Sequence, residues 1–372
     1  MSFYAQAFLF TVFSVLILQR KTKLNAVSIA MSIAWLVGVS TIYWRYGAIG
    51  QLTFYQNDQK FHWWVVHDLI RTDFEFTFNR LNFFRAPYTF PAYVLSRLGF
   101  DVVLSLKFVS HVCAIGTYTT AQRFIRKNGL RIIPIHLLLL GLPITTFFSV
   151  LALRETMMML CVTQVLLGQS PKARVASIVT LVLLRPHLAV ALVLGIVWGI
   201  LFTRPRFKAP LLITLTTALV PIYLGTFGYS IGVSVLQGLP LRLYQDLFLR
   251  DQIVQVFSGF FGLQFLTVPP ETVEFGVATL FLLRLMFPEI IFAPLLFALS
   301  CLLRTFKLDK LSITVLATFS FYMGVSTGTD FLSTRQNLPL MPTMGAIAIL
   351  FFWSRVSKLQ ETETLSKELA PQ

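Results

Sequence analysis

Residues 25–43 read NAVSIAMSIAWLVGVSTIY, a stretch without one charged side chain, entered from Arg20, Lys21 and Lys23. Coiled as a helix at about 1.5 Å per residue, such a stretch roughly matches the ~30 Å hydrocarbon core of a bilayer. Comparable apolar runs cover residues 3–19, 102–122, 132–150, 156–170, 174–184, 188–203, 209–228, 273–303, 311–329 and 338–353. Inside lipid every backbone polar group needs an internal partner, so long apolar runs form helices, and the short alternating segments of a β-barrel are absent from this sequence. The expectation is an all-α, polytopic integral membrane bundle of about eleven transmembrane helices, with residues 1–372 as one transmembrane domain.

Composition agrees. Of 372 residues, 56% are hydrophobic and 13% charged, 36 are Phe, and the mean hydropathy is +0.73, far above that of a soluble domain of this length. The net charge of +15 falls in short basic clusters between apolar runs, not on one continuous face, which argues against a nucleic-acid partner. Cys113, Cys161 and Cys301 lie in or beside apolar runs without CxxC spacing and read as packing residues. The first run has no basic residue before it and no small-residue cleavage site after it, so it reads as a retained helix and not a signal peptide.

Orientation follows from those clusters. Arg20/Lys21/Lys23, Arg123/Arg126/Lys127/Arg131, Lys172/Arg174, Arg204/Arg206/Lys208, Arg304/Lys307/Lys310 and Arg355/Lys358 all fall on one side if each run crosses once. The positive-inside bias makes that side cytoplasmic. The N-terminus and two long loops, 44–101 and 229–272, then lie outside, and the tail 354–372 lies inside. Aromatic density from Phe74 to Tyr93 makes the first loop a structured one. The runs flanking Arg185 are short enough to be broken helices, with Pro186 at the break.

On this scheme five polar features gather at one outward boundary: Asn57-Asp58, Arg154-Glu155, Arg185-Pro186-His187, Thr329-Asp330 and Arg335. Ionisable groups embedded in apolar sequence are costly and mark cavities or partners. Three of them have a plainer reading: Arg154-Glu155 as a helix cap, His187 as a packing donor, Asp58 as a solvated loop carboxylate. Two arginines set in hydrophobic walls suit an anionic ligand, because guanidinium groups bind phosphate bidentately. The signatures of P-loop, GxSxG, HExxH and dinucleotide-binding proteins are missing.

The acidic position within Asn57-Asp58-Gln59-Lys60-Phe61-His62, together with Arg335-Gln336-Asn337-Leu338-Pro339-Leu340-Met341-Pro342, resembles the C-type membrane glycosyltransferases. Leu153-Arg154-Glu155 and Leu184-Arg185-Pro186-His187 are similar to bacterial polysaccharide polymerases that use polyprenyl-linked sugars. The resemblance touches four short patches, and it departs from the family in placing two helices before the first loop and a single acid, flanked by Asn57 and Gln59, within it.

What the resemblance implies is a glycosyltransferase or polysaccharide polymerase (O-antigen or exopolysaccharide) at the outer face of the bacterial cytoplasmic (inner) membrane. It takes sugar from a polyprenyl-phosphate or diphosphate donor to a glycan or lipid-linked acceptor, among membrane lipids. Asp58 would be the catalytic base with Glu155 as its substitute. Arg154, Arg185 and Arg335 would bind phosphate, and His187 would serve in either role. No organic cofactor or protein metal site is implied; a divalent cation is the one cofactor the family pattern admits. Two other classes compete: a transporter or flippase of lipid-linked oligosaccharide, and a non-catalytic membrane subunit of a glycan assembly complex.

Overall fold

The computed structural model describes residues 1–21, 26–47, 56–72, 85–202, 286–303, 309–327 and 338–368. Thr329, Asp330, Arg335, the apolar run 209–228 and the loop 229–272 lie outside the described residues. Among the described residues every regular element is a helix. Two of these, Ala26–Tyr46 and Val102–Lys127, are long and apolar enough to cross a membrane. The chain divides into two compact units, Met1–Thr120 with Leu142–Ala189, and Ala121–Gly141 with Val190–Gln372.

The first unit begins with α1 (Phe3–Lys21) packed against α2 (Ala26–Tyr46). Phe3 stacks on Tyr43 at 3.8 Å and Phe10 on Phe108 at 4.2 Å, around a core that includes Trp35, Val39, Leu104 and Val150. Among the described residues, the first loop contains two helices that pack together, α3 (Gln56–Arg71) and α4 (Ala86–Arg97). In α3, Gln59, His62, Val66 and Leu69 are buried at helical spacing, whereas Lys60 and His67 are exposed. Asp101 then starts α5 (Val102–Lys127): its Oδ1 accepts from the Leu104 N–H at 2.9 Å, a normal N-cap.

The run 132–150 departs from its reading as one crossing. It forms two short helices, α6 (Pro134–Leu139) in the second unit and α7 (Leu142–Val150) in the first. Gly141 between them has φ of 67°, the left-handed region that ends a helix, and Pro143 follows in the first turn of α7. The first unit is completed by α8 (Glu155–Leu167), α9 (Pro171–Leu184) and the start of α10 (Pro186–Phe202). Ser170 caps α9 by accepting from the Ala173 N–H, with Pro171 just behind it, so α8 and α9 form a tight helical hairpin.

In the second unit α10 meets α12 (Lys310–Thr327) with almost no space between backbones. A β-carbon at Gly195 would collide with Thr318 and one at Gly199 with Thr314. A long helix, α13 (Met341–Glu368), packs on α11 (Glu289–Leu303) and α6. Gly345 lets α13 lie directly on the Leu139 carbonyl, and Trp353 meets His136 edge to face at 4.5 Å. The three cysteines are buried free thiols.

Candidate functional site

The site is built around a break in the backbone. Between α7 and α8 the segment Leu151–Arg154 is a turn, yet Leu151, Ala152 and Leu153 are fully buried. The Leu151 and Leu153 amides find backbone partners in Phe148 and Leu151, but the Ala152 N–H and Leu153 carbonyl do not, and burial without partners would cost roughly 1–3 kcal/mol each. Side chains of surrounding helices meet these two groups. Gln59 of α3 accepts from the Ala152 N–H at 3.1 Å, and Ser110 of α5 donates to the Leu153 carbonyl at 2.9 Å. One turn earlier, the Trp35 indole of α2 donates to the Ser149 carbonyl at 3.0 Å. The turn is therefore held by α2, α3 and α5 together.

Arg154 and Glu155 project from this turn. Arg154 is half-buried and donates from Nη1 to the Leu184 carbonyl at 2.8 Å, satisfying the last turn of α9 with a positive charge at the helix's negative end. Glu155 occupies the first turn of α8 and is only 1% exposed. Arg185 ends α9, and its Nε donates to His187 Nε2 at 3.0 Å. Nε2 is thus the acceptor, which makes the imidazole neutral with its proton on Nδ1. His187 orients the guanidinium of Arg185, and Arg154 is near enough for both arginine charges to bear on the imidazole.

Four of the six residues expected from sequence, Arg154, Glu155, Arg185 and His187, thus gather within the first unit. The backbone places Asp58 in the first turn of α3, beside Gln59, whose side chain reaches the turn at Ala152. Arg335 lies outside the described residues.

The structure adds residues the sequence reading passed over. The Tyr88 hydroxyl of α4 lies 2.9 Å from Ser110 Oγ and 3.1 Å from the Leu106 carbonyl, and the His62 ring packs edge-on against Tyr88 at 5.1 Å. Burial pushes the Tyr88 phenol well above its ordinary range; the Ser110 hydrogen bond offsets part of this, and the nearby Glu155 charge adds to it. On α5, His111 Nε2 lies 3.1 Å from Ser32 Oγ, which lies 3.2 Å from Ser14 Oγ, while the ring stacks on Trp35 at 4.9 Å. Lys107, one turn before His111, is wholly buried. A lysine and a histidine four apart within the apolar run 102–122 were the available signal, since i and i+4 share one face of a helix.

Among the described residues no group of three His, Cys, Asp or Glu side chains is placed to hold a metal ion. The groups gathered at the turn are fixed arginine charge, a buried carboxylate and a neutral imidazole in apolar surroundings. Comparison with protein-family models, curated proteins and solved structures finds no match to this chain, so the functional reading rests on these residues themselves.

Proposed function

We propose that the protein is a membrane glycosyltransferase or polysaccharide polymerase, moving sugar from a polyprenyl-phosphate or diphosphate donor at the outer face of a bacterial cytoplasmic membrane. The observation that carries this reading is the convergence of Arg154, Glu155, Arg185 and His187 around a buried turn flanked by the first-loop helices. Support for about eleven crossings comes from the apolar runs and from surfaces of inverted polarity. Val175 and Val179 on α9, Ile33 and Val37 on α2, and Val190 and Val197 on α10 are exposed, while Ser14, Ser32, Lys107, Ser110, His111 and Glu155 are buried. Lipid suits such a surface and water does not.

In the proposed step an acceptor hydroxyl attacks the anomeric carbon as the bond from that carbon to the phosphate oxygen breaks. The electron pair leaves with the polyprenyl phosphate, and the hydroxyl proton passes to Asp58, or to Glu155 in its place. Arg154 and Arg185, with Arg335, compensate charge growing on the leaving phosphate, and His187 keeps Arg185 aimed. Flippase activity on lipid-linked oligosaccharide is the second reading, favoured by the helix break at Arg185.

The test supplies purified protein in bilayers with a polyprenyl-linked saccharide and measures labelled sugar entering polymer. Arg185→Ala should remain folded and lose roughly 10²–10³-fold in turnover. Wild type that makes no product but carries the lipid-linked sugar between leaflets would replace the enzyme reading by the flippase. An Arg185→Ala variant with full activity would remove Arg185 from the site.

A further inference from the structure

We infer that Lys107 is an additional cation of this site and that it receives the phosphate of the isoprenoid-linked donor. The inference rests on the function proposed above and goes beyond it in assigning a residue from a different helix. Lys107 lies in the second turn of α5 with its side chain 0% exposed, and its Nζ meets no hydrogen-bond acceptor among the described residues. An ammonium carries three donors and is strongly hydrated in water, so burying it without acceptors is among the least favourable placements a folded chain can make. The carboxylate whose field reaches it is Asp101, whose Oδ1 accepts from the Leu104 N–H as the cap of α5 and which makes no hydrogen bond to Lys107 Nζ.

The surroundings locate where a counter-anion would enter. Ser110 and His111, three and four residues on, share the helix face of Lys107. Ser110 is fastened to Tyr88 and to the Leu153 carbonyl, immediately before Arg154, and His111 to Ser32 and Trp35. Ser110 Oγ and His111 Nε2 are thus engaged, whereas Lys107 Nζ, like His111 Nδ1, is buried with no hydrogen-bond partner among the described residues. Side chains on a helix lean toward its N-terminus. Lys107 therefore leans toward Asp101, the end of α5 adjoining the first loop in sequence and facing outward in the proposed topology. A phosphate carried on an apolar chain brings several acceptor oxygens without exposing the site to water, which is what a buried lysine lacks. Arg154 and Arg185 carry forked guanidinium donors, whereas the Lys107 ammonium is a compact point charge that they do not replace.

A long-chain polyprenyl phosphate is the probe, with the matching polyprenol and phosphatidylglycerol as the other arms, each in phosphatidylcholine nanodiscs containing the full chain. Thermal unfolding and lipid retention by native mass spectrometry are read for wild type, Lys107→Met and Lys107→Arg. Wild type should be stabilised by the polyprenyl phosphate and not by the other two lipids. Lys107→Met should fold, unfold at or above the wild-type midpoint without lipid, and bind the polyprenyl phosphate roughly tenfold or more weakly, the loss expected for one charged hydrogen bond. Lys107→Arg should keep most of the affinity.

Undiminished binding by Lys107→Met overturns the inference. So does a Lys107→Met protein that cannot fold, because the ammonium would then be a structural partner. Equal stabilisation of wild type by phosphatidylglycerol also overturns it, since the site would be reading a bulk headgroup. Binding that depends on Lys107 without any sugar transfer leaves this assignment standing and removes the glycosyltransferase; transfer that is indifferent to Lys107 does the reverse.

Discussion

Two sets of helix contacts, one in each unit, are built in opposite ways. Around residues 149–154 of the first unit the contacts are polar: indole, amide and hydroxyl side chains from α2, α3 and α5 reach the backbone of a buried turn. At Gly195, Gly199 and Gly345 of the second unit the contacts are steric, with bare backbone pressed against a threonine or a carbonyl. Where helices are to stay packed without water, small residues give the closest approach and nothing chemical is left over. The polar construction keeps ionisable groups buried, which is unfavourable for packing alone and is the usual mark of a working site. The contrast is why Arg154, Glu155 and Arg185 carry the functional reading and the glycines do not.

Substitutions can break either half of this comparison. Gly345→Leu should have the largest effect, about 3 kcal/mol or enough to abolish folding, because its side chain must displace the Leu139 carbonyl. Unfolding followed in detergent and in lipid checks it, and a variant with a wild-type midpoint would show that α13 does not lie against α6 as described. Ser110→Ala should cost about 2 kcal/mol, since it removes the donor to the Leu153 carbonyl and a partner of Tyr88 together. The same midpoint measurement reads it; a neutral effect would mean that another group satisfies the turn.

Tyr88→Phe should cost less, about 1 kcal/mol at neutral pH, and it sharpens the comparison through pH. The folded-state pKa of Tyr88 is raised above its unfolded value near 10, so the neutral phenol is favoured by folding. That contribution is fully present below pH ~10 and is lost as pH climbs above that value toward the folded pKa. Wild type should therefore lose stability above pH ~10 more steeply than Tyr88→Phe in alkaline unfolding curves. Superimposable curves would place the Tyr88 hydroxyl in water.

Much of the helix inventory was legible because apolar runs and their boundaries are local properties. Runs 3–19, 25–43 and 311–329 correspond closely to α1, α2 and α12. The run 132–150 was misleading for a local reason too: hydropathy is blind to the sign of φ at Gly141, where the helix breaks. Within the site, Arg154-Glu155 and Arg185-Pro186-His187 stood out because charge interrupts apolar sequence. Tyr88, Ser110 and Gln59 did not, because a tyrosine, serine or glutamine in a sequence is unremarked until the backbone group it must satisfy is known.

By itself the sequence determined that this chain is helical and rich in lipid-compatible segments, since the length of a charge-free apolar run needs no knowledge of neighbours. It also determined which residues would be costly to bury. Only the tertiary structure decided which of them meet. Residues 59, 88, 110, 154 and 185 come from five separate segments, and their convergence depends on a turn at 151–154 whose backbone had to find partners across helices. Hydrogen bonding is short-ranged and directional, so that convergence is written in the packing and not in the order of the chain.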